Sequence, residues 1–388
     1  QDAAAAGITA DNLTVESGKT QQLLSKSNKV KSLTIKGKNA GSSLMVDGVT
    51  RFNGTTDNLL VTVADSHIKG DVLIENYQAD TGKITINSTI DTSKYNDEHT
   101  GNITVTTDGD ITTADGVALN AADKVSINSR KGSVATGGNV TANNDVDIHA
   151  ANNITANGNL TSTNANVDLL AGGSITTHGT VNALNNVISN ATSDIKTNGD
   201  VTATNGNAVL NSSTGSVNTQ NVTAGQAVDI DAEQDITAGG NLISKNGDIT
   251  LDARSGSITT QGTVNAHNNV IANANGNINT IGDVTAQTGK AKLKSSEGSV
   301  TTKNVKANNE VDIDAANNIT ANGSLTSDTA NVELNAGGSI TTNSIVNALN
   351  NVIANANGNI ATNGDVIAQN GKAQLNSKGG SITTGGEV

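Results

Sequence analysis

The chain has 388 residues and a net charge of −13, and it contains no proline, no cysteine and no tryptophan. One phenylalanine and two tyrosines are its whole aromatic content, which excludes a globular core built around aromatic side chains. The acidic balance argues against nucleic-acid binding, and no apolar run approaches the ~18 residues of a membrane-spanning helix, so we expect no nucleic-acid partner and no membrane insertion.

Residues 1–110 carry apolar pairs such as Leu13/Val15 and Val72/Ile74 without a strict repeat. Alternation of apolar and polar residues is typical of strands with one buried face. We predict that this segment forms divergent coils of the regular array that follows. The hydrophilic residues 91–100 predict a loop that protrudes from one coil.

Residues 19–38 contain several lysines and no acidic residue. Strand alternation places Lys29 and Lys31 on one outward face, which suits an anionic glycan such as heparan sulfate or sialic acid. The alternative is a solvated, charged face that deters pairing with other chains. The candidate glycan patch comprises Lys26, Lys29, Lys31, Lys36 and Lys38.

Residues 111–388 form an internal repeat with a period of about 41 residues and a half-period of about 20–21. The segment GSITTQGTVNAHNNVIANANGNI (256–278) recurs as GSITTNSIVNALNNVIANANGNI (338–360). One apolar residue marks each half-repeat, and we predict that these residues stack into a core column. The column comprises Val134, Ile154, Ile175, Ile195, Val217, Ile236, Ile258, Ile278, Val300, Ile319, Ile340, Ile360 and Ile382.

Each half-repeat contains short alternating runs separated by Asn-Gly, Asn-Asn or Gly-Gly, which favour turns. Such a unit cannot bury its own apolar face, but stacking onto similar neighbours can. The sequence therefore predicts an all-β fold, a right-handed parallel β-helix (β-solenoid) of about 18–19 coils of ~20–21 residues. The absence of proline fits, because proline would remove hydrogen bonds between coils.

Runs such as GDVTATNGNAVLNSSTGSV and AANNITANGNLTSTNANVDLLAGGSITT resemble the repeat region of filamentous-haemagglutinin-like exoproteins and high-molecular-weight adhesins of Gram-negative bacteria. The resemblance covers residues 111–388 well and residues 1–110 loosely. It implies a TpsA-type exoprotein of two-partner secretion. The family's secretion domain carries Asn-Pro-Asn motifs, and the chain has no proline, so we expect a fragment from the shaft.

The resemblance also implies location and partners. Such exoproteins are secreted to the bacterial cell surface through an outer-membrane TpsB-type transporter. They attach to a receptor or glycan on host cells or other bacteria, and they contribute to virulence. The alternative within this family is the stick region of a contact-dependent growth-inhibition toxin.

Twelve Asn-X-Ser/Thr sequons occur in the chain, and related adhesins are glycosylated on such asparagines. The alternative is chance, since a chain rich in Asn, Ser and Thr creates sequons readily. The candidate glycosylation sites are Asn12, Asn53, Asn87, Asn102, Asn139, Asn153, Asn159, Asn190, Asn211, Asn221, Asn318 and Asn322.

We predict neither an enzyme nor a cofactor or metal site. Acidic pairs such as Asp229/Asp231 recur every four coils, too far apart to share a cation. We expect no carboxylates stacked at matched positions on adjacent coils, which argues against a polysaccharide-active β-helix enzyme. An ice-binding protein is the other class considered, but Asp194/Lys196 interrupt its outward Ser/Thr array.

Overall fold

The computed structural model describes residues 6–16, 19–36, 46–64, 68–93 and 101–388. These residues form strands and turns and no helix. The chain divides into two compact units, Gln1–Thr202 and Ala203–Val388. Each unit is a β-solenoid built from three parallel sheets, which confirms the predicted fold class.

One coil contains a strand from each sheet in a fixed sequence. The five-residue strand Val146–Ala150 of sheet 2 precedes the three-residue strands Ile154–Ala156 of sheet 1 and Leu160–Ser162 of sheet 3. The next coil begins with Val167–Ala171, which pairs in parallel with Val146–Ala150. The strands are short because Asn-Asn and Asn-Gly turns interrupt them after three to five residues.

The described strands of the first unit are distributed over the three sheets as follows. Sheet 1 comprises Thr9–Glu16, Lys29–Lys36, Asn58–Ala64, Lys83–Ile86, Ile111–Thr113, Val134–Thr136, Ile154–Ala156, Ile175–Thr177 and Ile195–Thr197. Sheet 2 comprises Lys19–Leu23, Val46–Gly54, Ile68–Lys69, Val72–Asn76, Ile103–Thr107, Val125–Ser129, Val146–Ala150, Val167–Ala171 and Val187–Ala191. Sheet 3 comprises Ile90–Asp91, Leu119–Ala121, Val140–Ala142, Leu160–Ser162, Val181–Ala183 and Val201–Ala203, the last of which spans the boundary between the units.

The strands of the second unit follow the same plan without irregularity. Sheet 1 comprises Val217–Thr219, Ile236–Ala238, Ile258–Thr260, Ile278–Thr280, Val300–Thr302, Ile319–Ala321, Ile340–Thr342, Ile360–Thr362 and Ile382–Thr384. Sheet 2 comprises Ala208–Ser212, Val228–Ala232, Ile249–Ala253, Val270–Ala274, Ala291–Ser295, Val311–Ala315, Val332–Ala336, Val352–Ala356 and Ala373–Ser377. Sheet 3 comprises Val222–Ala224, Leu242–Ser244, Val264–Ala266, Val284–Ala286, Val305–Ala307, Leu325–Ser327, Val346–Ala348 and Val366–Ala368.

Sheet 1 contributes nine described strands to each unit, and about 16 turns are formed among the described residues, where 18–19 coils were predicted for the whole chain. The first described strand of sheet 3 is Ile90–Asp91; in the segment before it, residues 17–18, 37–45 and 65–67, which follow the first three strands of sheet 1, lie outside the described residues. Strands in this segment are longer, with eight residues in Thr9–Glu16 against three in Ile111–Thr113. The division into compact units falls between residues 202 and 203, and the boundary near residue 110 stays a prediction. The predicted loop at 91–100 lies mostly outside the described residues, which omit 94–100.

The predicted core column lies in sheet 1. Ile154 is the register partner of Val134 and Ile175, and Ile340 is the partner of Ile319 and Ile360. Every member of the column is buried except the last. Aliphatic side chains therefore form a continuous row within each unit, so neighbouring coils supply the burial that one coil cannot achieve alone.

Ile382 stacks on Ile360 as predicted, but it differs from the other members of the column in its exposure. Its side chain is 46% exposed, because Ile382 has a register partner on one side only, namely Ile360. A member of this column is therefore covered only when coils pack against both of its faces.

Threonine hydroxyls lie inside the solenoid at the third position of many sheet 1 strands. Among the described residues, five such hydroxyls are buried without a hydrogen-bond partner, those of Thr136, Thr177, Thr260, Thr342 and Thr362. The Oγ1 of Thr280, in contrast, donates to the Oγ1 of Thr302 at 2.7 Å. The interior thus accepts a β-branched side chain of suitable volume although an unpaired hydroxyl is unfavourable there.

Contacts between coils at one corner differ between the two halves of the repeat. The Oδ1 of Asn153 accepts the backbone N–H of Ser174 at 2.8 Å and lies 2.3 Å from the place that a Cβ on Gly173 would occupy. An asparagine at this corner therefore favours glycine immediately before the residue whose N–H it accepts. Serine has a shorter reach, and the Oγ of Ser339 accepts the N–H of Asn359 at 3.0 Å. Coils with Asn or Asp at this corner alternate with coils that carry Gly-Ser there.

Candidate functional site

Five of the twelve sequons begin at corner asparagines, which immediately precede strands of sheets 1 and 3. In each, the asparagine Oδ1 accepts a backbone N–H of the following coil at 2.7–2.9 Å. The next residue is an inward aliphatic residue, and the one after it is an outward threonine. The corner and the strand together therefore produce the sequence Asn-X-Thr. These five sequons, Asn139, Asn153, Asn159, Asn221 and Asn318, thus have an architectural origin whether or not they carry glycans.

The other seven sequons differ in the accessibility of their amides. Three asparagines are exposed, two project from sheet 2 and are half-buried, and two donate their amide N–H to a neighbouring segment. The exposed asparagines are Asn12, Asn87 and Asn322, the half-buried ones are Asn190 and Asn211, and the two amide donors are Asn53 and Asn102. Asn53 donates to the backbone oxygen of Leu24 and Asn102 to the carboxylate of Asp71. The exposed sequons are therefore the best placed for modification.

The candidate glycan patch is less cationic in the fold than in the sequence. Lys29 and Lys31 are both exposed on sheet 1, but the ammonium of Lys31 lies 2.8 Å from the carboxylate of Asp11. The ammonium of Lys26 lies 4.2 Å from the ring centroid of Tyr77. The side chain of Lys36 and the whole of Lys38 fall outside the described residues. The strand Thr9–Glu16 thus contributes a counter-charge that reading residues 19–38 alone could not reveal.

Carboxylates do stack at matched positions on adjacent coils, contrary to the expectation from the sequence. Three acidic register pairs lie on the outer face of sheet 2. They are Asp147 with Asp168, Asp231 with Asp252, and Asp312 with Glu333. Sequence reasoning missed them because Asp168, Asp252 and Glu333 lie in strands that do not share the Val-Asp-Ile-Asp-Ala signature.

The acidic positions of sheet 2 are electrostatically unequal. Burial, and after it the repulsion by Asp231 and Asp252, raises the pKa of Asp229 above its usual value. The register partner of Asp229 in the preceding coil is uncharged Val209. Asp312 occupies the same position in an identical strand sequence, but its partner there is Lys292, which forms an ion pair with it. The hydrogen bond to Asp312 is the main reason that the pKa of Lys292 is raised.

We therefore expect opposite effects from the same substitution at these two positions. Asp229→Asn should raise the free energy of unfolding at pH 7, because it removes a carboxylate that the fold disfavours in its charged form. Asp312→Asn should lower it by about 1 kcal/mol, because Lys292 loses its closest partner. Urea denaturation of each variant measures both changes.

The pH dependence of the stability gain in Asp229→Asn tests whether the charged carboxylate is the cause of that gain. A raised pKa means that the folded chain binds the proton of Asp229 more tightly than the unfolded chain, so stability falls as pH rises through that pKa. The gain from Asp229→Asn should consequently be present at pH 7 and vanish near pH 3, where the wild-type carboxyl is protonated (about one unit below its ordinary pKa). Changes of the same sign in both variants at pH 7 would contradict this account.

Nothing in the described part of the chain assembles a metal centre. No group of three or more His, Asp or Glu side chains is placed there to hold a metal ion. His149, His178 and His267 lie on separate coils, while His67 and His99 fall outside the described residues. The buried Nε2 of His149 has no hydrogen-bond partner, and its register partners are Asn128 and Leu170 rather than a nucleophile.

The outward threonines of sheet 1 form an interrupted row. Thr237 and Thr259 are register partners, but Asn279 lies between Thr259 and Thr301. In the first unit Lys196 follows Thr176 in the same row. The row therefore lacks the unbroken threonine array that an ice-binding face would present.

No helix in the described ranges has the length and apolar character needed to cross a membrane. Comparison of the chain with known proteins finds no matching family model, no matching curated protein and no matching solved structure.

Proposed function

We propose that the chain is a β-helical shaft fragment of a secreted bacterial surface adhesin, which serves display and attachment to host cells or other bacteria. The supporting observation is the stack of similar coils in each unit, with aliphatic residues inside and Thr, Asn, Ser and charged residues outside. Stability in such a stack is a sum of coil and interface contributions, so length can grow without a globular core. The sequence resemblance to filamentous-haemagglutinin-like exoproteins supports the same proposal.

The proposal extends to secretion through an outer-membrane TpsB-type partner. A chain without cysteine forms no disulfide before translocation, so it can thread through a pore unfolded. Each coil contacts mainly its neighbours, so the chain can fold progressively as it emerges. Extracellular location at the bacterial surface follows from this route.

Attachment is tested with purified protein on beads. We expect beads coated with the folded chain to bind cultured epithelial cells or bacteria more than beads coated with a β-solenoid of unrelated surface. Equal binding by the two coatings would contradict the attachment function. Growth inhibition of neighbouring bacteria by the parent polypeptide would favour the alternative, a contact-dependent toxin stick, and polysaccharide turnover by the chain would favour an enzyme.

A further inference from the structure

We propose that a groove on the outer face of sheet 2 in the second unit binds a linear oligosaccharide that bears carboxylates, such as a uronate chain. This inference deepens the proposed attachment function and rests on it for its biological role. The binding itself can be measured independently of attachment. The groove is distinct from the lysine patch near the start of the chain.

The groove runs across five successive coils and has a volume of about 930 Å³. At ~4.8 Å per coil, its length is on the order of 20 Å, which suits an extended chain rather than a compact ligand. Small residues such as Ala316, Ala336 and Gly337 form its floor. Its polar lining includes Lys294, Asp314, Asn335, Asn355, Asn376 and Lys378.

Three asparagine amides form an ordered ladder along the groove. Asn335 donates its side-chain N–H to Asp314 at 3.0 Å, Asn355 donates to Asn335 at 2.9 Å, and Asn376 donates to Asn355 at 2.8 Å. An asparagine amide has two N–H donors, and the ladder uses one of them per residue. The second donor of each amide recurs once per coil, in an orientation that the ladder fixes before a ligand arrives. Such preorganisation lowers the entropy lost on binding.

The charge of the groove favours an anionic ligand. Lys294 and Lys378 lie at its two ends, and neither forms an ion pair within the part of the chain that the structure describes. The one carboxylate in the lining, Asp314, is the register partner of Lys294, accepts the amide of Asn335, and lies 3.7 Å from the ammonium of Lys292. The local charge is thus positive on a chain whose net charge is −13.

Lys294, Asp314, Asn335, Asn355 and Asn376 are register partners and form one outward row of sheet 2. Elsewhere in the described coils, this row lacks the combination of an asparagine ladder and flanking lysines. Asp231 and Asp252 occupy it in earlier coils of the second unit, where they would repel an anion. In the first unit the row contains Leu170, which is 47% exposed. The asparagine ladder between two lysines therefore identifies one location rather than a general feature of the solenoid.

Hydroxyl and carboxylate groups fit this lining better than peptide or nucleobase groups do. The backbone N–H and C=O groups of these strands are already paired between coils, so a peptide strand would find no ladder to extend. The lining contains no aromatic side chain on which a base could stack. Glycoside hydrolysis usually requires two carboxyl groups and the lining supplies one, so we propose binding without cleavage.

Calorimetric titration of the full chain with oligogalacturonic acid tests the proposal, with the fully methyl-esterified oligosaccharide as the neutral counterpart. We expect binding of the acid that weakens with salt, and at least about tenfold weaker binding of the ester, since the ester cannot form hydrogen bonds assisted by a negative charge. Lys294→Gln with Lys378→Gln should weaken acid binding by a similar factor. Asn355→Ala should also weaken it, because it interrupts the ladder.

Lys245→Gln serves as the matched control, since Lys245 is exposed in the same unit but outside the groove. It should bind the acid as the wild type does, and thermal unfolding should show that all variants remain folded. Absence of acid binding, equal binding of acid and ester, or full retention by the double lysine variant would each overturn the proposal. Acid binding without cell attachment would instead contradict the adhesin function and leave the groove established.

Discussion

We expect Gly172→Ala to lower the free energy of unfolding by about 2–3 kcal/mol, as overpacking substitutions in tight interiors do. A Cβ at this position would lie 2.1 Å from the backbone oxygen of Ala151 in the preceding coil. A backbone oxygen cannot rotate away as a side chain can, so the two coils must separate locally. The backbone N–H of Gly172 donates to the oxygen of Ala150 at 3.0 Å, and separation weakens that bond too.

Gly385→Ala is the control, because it replaces a glycine with alanine at a position without a close contact between coils. A Cβ there would meet its nearest atoms at 3.3–3.5 Å, which is close to ordinary contact. Chemical denaturation followed by far-ultraviolet circular dichroism measures both variants. If Gly172→Ala were as stable as Gly385→Ala, close approach between coils would not be the reason for glycine at position 172.

The second large effect is expected at the core column. Ile340→Ala should lower the free energy of unfolding by about 2–5 kcal/mol, the range for truncation of a fully buried aliphatic side chain. Ile340 is 0% exposed and lies between Ile319 and Ile360 in register. A cavity at this point removes contacts with both neighbouring coils, which cannot close the gap without leaving their ladders.

Ile382→Ala in the same column provides the comparison, because Ile382 is 46% exposed and has one register partner. Its substitution should reduce stability by less than about 1 kcal/mol, since little buried surface is lost. Equal losses in the two variants would show that stability at this column does not depend on coverage by coils on both sides.

The repeat made the core column predictable, because an aliphatic residue every 20–21 positions has only one arrangement that buries all copies. Contacts between coils were harder to foresee. The pairing of Asp231 with Asp252 joins strands of unlike sequence, Val228–Ala232 and Ile249–Ala253, and the ion pair between Lys31 and Asp11 joins segments that look unrelated. The buried hydroxyl of Thr260 was also unforeseen, because threonine is more common at exposed strand positions.

The candidate sites illustrate the same limit. Asn153 was identified as a sequon, yet its Oδ1 has a structural partner, the N–H of Ser174 on the following coil. The groove could not be predicted from the sequence because Lys294 and Lys378 are 84 positions apart (378 − 294). They line one groove only because the coils between them stack. In a solenoid, residues one coil apart are neighbours, and a motif search along the chain does not detect such neighbours.

Outward charged residues differ between coils whose inward residues are alike. The strand Ala291–Ser295 presents Lys292 and Lys294 to Asp312 and Asp314 of the next coil. The strand Ala208–Ser212 has the same inward Ala, Leu and Ser and could replace Ala291–Ser295 in the interior without a cavity, but its outward Val209 and Asn211 would leave Asp312 and Asp314 without a lysine. Out-of-sequence assembly and exchange of coils between molecules are thereby disfavoured. The outward charges thus specify the order in which the coils stack, while the inward residues can be alike from coil to coil.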